Sequence, residues 1–126
     1  MVMTGKVLLL EDDEDQLEML AMALSLVCGC ESVRVRSYGD LMRLADRALD
    51  CSVALLDVNL GAQQPSGLDA YRWLREHRYH GRVFFLTGHA RSHPLVAQTV
   101  AAGEAQLLEK PIATEHLCAL VCAESV

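Results

Sequence analysis

Short runs of consecutive apolar residues alternate along the 126-residue chain with stretches whose apolar residues recur every three or four positions. The continuous runs predict strands buried on both faces, and the recurring positions predict amphipathic helices. The second run alternates apolar and polar residues, so we expect that strand to be more exposed. The predicted strands are Val7–Leu10, Ser32–Arg36, Val53–Leu56, Val83–Leu86 and Ala105–Leu108.

A helix is predicted after each of these strands. Two of them have clear start signals, a capping serine or threonine, and the first has a glycine that can end it. The fourth is expected to begin at a proline, which suits the first helical position. In chain order the predicted helices are Asp15–Val27, ended by Gly29; Leu41–Ala48; Leu68–Glu76, capped by Ser66; a helix starting at Pro94; and Thr114–Cys122, capped by Thr114.

The alternation of strands and helices predicts a (βα)₅ arrangement. Right-handed crossovers place the helices on both faces of a parallel sheet. In such sheets ligands bind beyond the carboxyl ends of the strands. The length suits one domain, residues 1–126, with a core from about 6 to 124.

Net charge and composition argue against some classes of binding partner. The net charge is −6, with 17 acidic residues against 11 Lys and Arg, which disfavours a nucleic-acid surface. No apolar run approaches the ~20 residues that a bilayer requires. Residues 1–6 lack the long apolar region of a signal peptide. We therefore expect a cytoplasmic protein that binds neither membrane nor nucleic acid.

The five cysteines carry little sign of metal chemistry. They form no C-x-x-C pair, and the Cys28-Gly-Cys30 spacing is wrong for a zinc knuckle. We expect all five to be reduced thiols that behave as small apolar side chains.

Polar residues follow the predicted strands at their carboxyl ends. They are Glu11, Asp12 and Asp13 after the first, Asp57 after the third, Thr87 after the fourth, and Glu109-Lys110-Pro111 after the fifth. Carboxylates crowded at one rim repel each other, and Mg²⁺ is a cation that suits such a site. A carboxylate can accept a phosphoryl group, while a lysine and a hydroxyl stabilise the transferred charge. Asp13 is expected only to cap the first helix.

Four segments together resemble the receiver domains of two-component response regulators. The resemblance runs from about Lys6 to the last helix, with the segments in the same order at four strand ends. The segments are Leu9-Leu10-Glu11-Asp12-Asp13-Glu14, Leu55-Leu56-Asp57, Phe85-Leu86-Thr87-Gly88-His89-Ala90 and Leu108-Glu109-Lys110-Pro111. This resemblance implies a flavodoxin-like, doubly wound sheet with strand order 2-1-3-4-5.

The resemblance also implies roles for individual residues. Asp57 would be the phosphoacceptor, with Thr87 and Lys110 contacting the phosphoryl group. The Mg²⁺ site would be formed by the acidic pair Glu11 and Asp12, by Asp57, and by the backbone carbonyl of Asn59. The Lys110–Pro111 bond would be cis, Gly88 would leave room for the donor, and His89 would line the mouth of the site.

Function and partners follow from the same resemblance. A sensor histidine kinase or a histidine phosphotransfer protein would donate the phosphoryl group, and phosphorylation would switch a partner-binding surface. The domain would promote its own phosphorylation and dephosphorylation without being a turnover enzyme. The face formed by the fourth helix, fifth strand and fifth helix would be the output face and a possible homodimer interface. No effector segment follows Val126, which leaves open a stand-alone receiver or part of a longer regulator.

Two departures from the family pattern keep alternatives open. Gly67 lies ten residues after Asp57, two more than the common spacing, and Leu107 replaces the usual Tyr or Phe. A pseudo-receiver, an interaction module without phosphorylation, is one alternative, supported by Leu107. A Mg²⁺-dependent phosphohydrolase of the haloacid-dehalogenase type is another, although its D-x-D pattern is missing.

Two helices carry more apolar residues than a surface helix needs. The first adds Met19, Met22 and Leu26 to its core stripe, and the last carries Leu117, Cys118, Leu120, Val121 and Cys122. A helix that is apolar most of the way round is normally buried or lies at an interface. An ordinary surface with a few exposed apolar residues is the other interpretation.

Overall fold

A parallel sheet of five strands lies at the centre of the computed structural model, which describes residues 6–58, 67–87, 97, 100–110 and 112–121. All four strand pairings are parallel, and the strand order is β2-β1-β3-β4-β5. This confirms the flavodoxin-like order expected from the sequence. The strands are β1 (Val7–Leu10), β2 (Ser32–Val35), β3 (Val53–Asp57), β4 (Arg82–Thr87) and β5 (Gln106–Glu109).

Helices cover both faces of this sheet. In the described part of the chain, no helix is long and apolar enough to cross a membrane. The helix predicted from Pro94 begins outside the described residues. The helical segments are α1 (Glu14–Ala23), continued by a π-helical turn (Leu24–Cys28), then α2 (Tyr38–Arg43), α3 (Ala45–Leu49), α4 (Gly67–Glu76) and α5 (Thr114–Val121).

The core has two layers because successive side chains of a strand point to opposite faces. In β1, Val7 and Leu9 join the layer under α1 and α5, where Leu17 and Leu117 also lie. Leu8 and Leu10 join the other layer, with Leu41 of α2, Ala48 of α3 and Leu74 of α4. A strand that is apolar at every position is therefore what this two-layer architecture requires.

The first helix begins and ends as local sequence rules predict. The Asp13 carboxylate accepts hydrogen bonds from the backbone N–H of Asp15 (2.9 Å) and of Gln16 (3.1 Å). This confirms the capping role that the sequence assigned to Asp13. Gly29 ends the π turn in the left-handed region, with φ of 70°, where a residue without Cβ is favoured.

The π turn changes which side chains of this helical segment are buried. Leu24 is fully buried, but Val27, which the helical spacing placed in the core stripe, is 64% exposed. A π turn accommodates more residues per turn than an α-helix, so the apolar spacing no longer follows one face. Met19, Met22 and Leu26 are also exposed.

The second predicted helix is interrupted. Leu44 has φ of −109° and ψ of 24°, outside the helical region, and it separates α2 from α3. Leu41 and Ala48 are nevertheless both buried against the sheet. The predicted apolar positions were therefore right, while the single helix over 41–48 was wrong.

The cysteines correct one sequence expectation. Cys28, at the end of the π turn, forms a disulfide with Cys118 of α5, and the two Cα atoms are 5.2 Å apart. The prediction that all five cysteines are reduced thiols is therefore wrong for this pair. Sequence spacing could not indicate the bond, because it joins positions 90 residues apart through helix contact. Cys30 and Cys51 are buried in the core as predicted, and Cys122 lies outside the described residues.

Candidate functional site

Three buried polar side chains lie together at the carboxyl edge of the sheet. Glu11 follows β1, Asp57 ends β3 and Thr87 ends β4, and they are 1%, 2% and 1% exposed. Throughout the described ranges, no other polar or charged residue is this deeply buried. Burying polar groups without a use for them is costly, so their concentration at one edge indicates a functional site.

Lys110 connects these groups from the end of β5. Its ammonium nitrogen lies 3.0 and 3.2 Å from the two Glu11 carboxylate oxygens and 3.1 Å from Asp57 Oδ2. It also donates to Gln16 Oε1 at 3.0 Å. The Lys110 backbone N–H donates to the Thr87 carbonyl at 2.7 Å, which fixes the lysine relative to β4. One ammonium group thus contacts two buried carboxyl groups.

Gln16 is a site residue that the sequence did not reveal. It lies in the first turn of α1, where a glutamine has no distinguishing pattern, and its amide oxygen helps to hold the Lys110 ammonium group. Only the packing of α1 against the strand ends brings the two residues together, although they are 94 positions apart.

A cation could be held beside this lysine. Carboxylate oxygens of Glu11, Asp12 and Asp57 lie within 4.8 Å of one another, with Asp12 exposed and the other two buried. Mg²⁺ is usually bound by a small number of carboxylates at a site that is open to water on one side. These residues therefore fit the predicted metal site. Asn59, the predicted carbonyl ligand, lies outside the described residues.

The electrostatics of the site depend on burial and on the balance of charges. The pKa of Glu11 is raised to about 8: burial is the largest cause, the hydrogen bond and the negative charge of Asp57 act in the same direction, and Lys110 opposes them. Burial lowers the pKa of Lys110, but its hydrogen bond to Glu11 and the charges of Asp57 and Glu11 outweigh this and raise it. Lys110 is therefore held in its charged form beside the carboxylates.

A comparison with known protein families identifies the family that has this arrangement of residues. A family model described as the response regulator receiver domain matches residues 7–122. The chain belongs to this family. Receiver domains are signalling domains of two-component systems and not turnover enzymes, and they interact with histidine kinases or phosphotransfer proteins. The cluster of Glu11, Asp12 and Asp57 fits the phosphorylation and metal site of the family.

Solved structures support the same fold. The Vibrio cholerae chemotaxis protein CheY4 is 22% identical with a TM-score of 0.78, and the match covers 94% of this chain and 97% of that one. A CheY-like receiver domain protein from Methanospirillum hungatei JF-1 is 19% identical with a TM-score of 0.78, covering 94% and 91%. A response regulator from Burkholderia pseudomallei, solved with a phosphorylated aspartic acid, calcium ion and citrate, is 26% identical, with a TM-score of 0.76 and coverage of 93% and 66%. No curated protein matches the chain by sequence.

The departure at Leu107 can be placed in this receiver domain. Leu107 lies in β5 and is half-buried against the core layer of α2, α3 and α4. An aliphatic side chain therefore occupies the position at which the resemblance leads us to expect an aromatic one. Other predicted features, Gly88, His89 and the cis bond before Pro111, lie outside the described residues.

Gly67, the first residue of α4, packs against the backbone at the end of β3. A Cβ built on Gly67 would lie 2.6 Å from the backbone oxygen of Asp57 and 3.2 Å from Cα of Val58. Neither is the end of a flexible side chain, so any larger residue would have to displace the backbone next to Asp57. The sequence marked Gly67 only as the end of a longer loop, and this close approach explains why a glycine is needed.

Replacing Gly67 with alanine is expected to lower the free energy of unfolding by about 1–3 kcal/mol, the usual range for inserting atoms into a filled space. Gly39→Ala is the matched control, because its Cβ would meet only Ser37 Oγ, at 3.7 Å. Gly39 lies within α2, where alanine is favoured over glycine, so the control should be neutral or slightly stabilised. Urea unfolding of both variants measures the difference. Equal stability of the two variants would contradict the tight contact at Asp57.

Proposed function

We propose that this receiver domain accepts a phosphoryl group on Asp57 in a Mg²⁺-dependent reaction and switches a partner-binding surface. The observation that carries the proposal is the Lys110 ammonium group, which bridges the buried carboxylates of Asp57 and Glu11. Asp12, whose carboxylate lies within 4.8 Å of those of Glu11 and Asp57, completes the set. The donor would be a phosphohistidine of a sensor kinase or of a phosphotransfer protein.

In the proposed reaction an Asp57 carboxylate oxygen attacks the phosphorus of the donor. A new P–O bond forms, the P–N bond to histidine breaks, and its electron pair stays on the departing imidazole. Negative charge spreads over the phosphoryl oxygens as they pass from donor to acceptor. Lys110, which is only 3.1 Å from Asp57 Oδ2, is positioned to neutralise that charge, and we assign the hydroxyl of Thr87 to the same task.

Mg²⁺, when bound, would supply the positive charge that draws phosphoryl oxygens toward a site rich in carboxylates. Glu11, Asp12 and Asp57 are the proposed side-chain ligands, and the Asn59 carbonyl is a further ligand on the basis of the family resemblance. Lys110 keeps Glu11 and Asp57 close together until the donor arrives, which limits the movement needed for the transfer.

The readout is proposed to begin at the contacts of Lys110. A phosphoryl group on Asp57 offers the ammonium group new oxygen partners, so its present bonds to Glu11 and Gln16 would be exchanged. Because the backbone of Lys110 is bonded to Thr87, this exchange reaches both β4 and β5. On the basis of the family resemblance, the face of the fourth predicted helix, β5 and α5 is the proposed output and dimer surface. Light scattering with and without beryllofluoride tests the dimer, which a constant monomeric mass would exclude.

We propose that the domain works in the cytoplasm, where kinases of two-component systems draw on ATP. The pseudo-receiver alternative keeps one observation in its favour, the aliphatic Leu107 in β5. Loss of the aromatic side chain changes the coupling between site and surface without removing any group that carries the chemistry.

The test uses the full chain with Mg²⁺ and acetyl phosphate, followed by intact-mass analysis and peptide mapping. We expect a gain of one phosphoryl group on Asp57, which EDTA and Asp57→Asn prevent. Asp13→Asn is the control, because Asp13 is a nearby carboxylate whose role is to cap α1. Phosphorylation of both Asp57→Asn and Asp13→Asn would contradict the assignment of Asp57. Phosphorylation of none of the three proteins would also contradict it and would favour the pseudo-receiver.

A further inference from the structure

The disulfide between Cys28 and Cys118 lies in a part of the molecule that the phosphoryl chemistry does not use. Cys28 is the last residue of the π turn, and Cys118 lies in the middle of α5. Both residues are half-buried, between the core layer of Leu24 and Leu117 and the solvent. Small oxidants and reductants therefore have access to this bond, unlike the fully enclosed core.

The remaining described cysteines differ from this pair. Cys51 is 4% exposed, and burial raises the pKa of its thiol to about 11, which leaves very little reactive thiolate. Cys30 is 5% exposed beneath the π turn. The sulfur of Cys51 also contacts the Arg47 carbonyl at 3.4 Å. The cysteines that meet each other are thus the accessible ones, while the buried ones are kept apart in the core.

The bond joins two elements that lie far apart in the sequence and pack on the same core layer. Helix α5 follows β5 and Lys110, so it is connected directly to the element that contacts Asp57. The π turn is continuous with α1, whose first turn contains Gln16, another partner of Lys110. A covalent link between the π turn and α5 therefore restricts how far α5 can move away from α1.

We propose that Cys28 and Cys118 form a reversible thiol–disulfide switch that fastens α5 to α1 when the cell becomes oxidising. Disulfides are rare and mostly transient in reducing compartments, and the inference rests on the cytoplasmic location proposed above. In that compartment a cysteine pair at bonding distance is suited to sensing and not to permanent reinforcement. The inference goes beyond the proposed phosphorylation and does not depend on it, because neither sulfur belongs to the carboxylate site.

The chemistry balances with a peroxide as oxidant. One thiolate attacks the peroxide oxygen, the O–O bond breaks, and a sulfenic acid forms with release of water or an alcohol. The second thiol then attacks this sulfur, the S–O bond breaks, and a second water leaves. Two thiols have lost two electrons and two protons to the peroxide. Reduction follows by exchange with two thiols of a reductant such as glutathione, which become a disulfide themselves.

The full chain is reduced, freed of reductant, and treated with hydrogen peroxide or with buffer alone. It is then unfolded and alkylated with iodoacetamide. We expect the number of alkylated cysteines to fall from five in the reduced protein to three after oxidation. Peptide mapping should find Cys28 joined to Cys118, and dithiothreitol should restore five labels. Five labels after peroxide, or a disulfide between other cysteines, would overturn the proposal.

The effect on the fold is measured on the same samples. Closing a loop of 90 residues constrains the unfolded chain strongly, so the oxidised protein should have a Tm about 10 °C above that of the reduced protein. Amide exchange in α5 should be slower after oxidation. Both differences should vanish in Cys28→Ala/Cys118→Ala and persist in Cys51→Ala. A Tm and an α5 exchange rate that do not respond to oxidation would overturn the switch even if the bond forms.

Discussion

Lys110→Met is expected to slow phosphoryl transfer from acetyl phosphate by about 100- to 1000-fold, the usual effect of removing one charge-stabilising donor from an active site. Methionine keeps much of the length of the side chain and removes only the ammonium group. That group lies within 3.2 Å of Glu11 and of Asp57, and the Lys110 side chain is 20% exposed. The substitution therefore removes a charge–charge interaction from a site with little water, where such interactions are stronger than at an exposed surface.

Two measurements separate this effect from general damage to the fold. Lys6→Met removes the same charge at the start of β1, away from the carboxylates, and its transfer rate should match that of the wild type. Magnesium affinity, measured by isothermal titration calorimetry, should be unchanged or stronger in Lys110→Met because the competing cation is gone. A transfer rate within about threefold of the wild type would remove Lys110 from the proposed mechanism.

The second large effect is a dependence of stability on pH in the absence of metal. The pKa of Glu11 is raised to about 8 in the folded protein from its ordinary value of 4.5. Between these values the folded state holds a proton that the unfolded state has released. The contribution of Glu11 to the free energy of unfolding is therefore fully present below pH 4.5. It falls as the pH rises toward 8 and is lost above pH 8. The total change is on the order of 3–5 kcal/mol.

Urea unfolding in EDTA, from pH 5 to pH 8.5, measures this slope. Glu11→Gln should remove it, because glutamine keeps an acceptor for Lys110 but cannot ionise, so the variant should exceed the wild type in stability at pH 8. Glu109→Gln, an exposed carboxylate beside Lys110, is the control and should keep the slope. Saturating Mg²⁺ should reduce the pH dependence of the wild-type stability, because the bound cation replaces the proton on Glu11. A wild-type stability that rises with pH would contradict the buried protonated Glu11.

Most of the fold was predictable from the sequence because the apolar runs within β1, β3 and β4 are unbroken, although β2 and β5 contain polar positions. Val7–Leu10 and Val53–Leu56 could belong only to strands covered on both faces, and such strands require helices on both sides. The helices were harder to delimit. Leu44 breaks α2 from α3, and the π turn exposes Val27, because tertiary contacts and not local pattern decide these points.

The site was predictable to the extent that its residues end strands. Glu11, Asp57 and Lys110 were found because parallel strands bring their carboxyl ends to one edge. Gln16 carries no such signal, since it reaches Lys110 only through the orientation of α1. The Cys28–Cys118 bond was missed for the same reason, because the spacing of two cysteines along the chain does not show that their helices are in contact.

The position of the site within the sheet has a consequence for how the domain responds. Glu11, Asp57 and Thr87 end the three central strands, each hydrogen-bonded to neighbours on both sides, whereas Lys110 follows β5 at the sheet margin. In β5 only Leu108 is buried. The proposed acceptor therefore lies in the centre of the sheet and its cationic partner at the margin. We expect the margin to open locally more readily than the centre, so amide protons of β5 should exchange faster than those of β3. A change of surface that begins at this margin would leave the centre of the sheet closed.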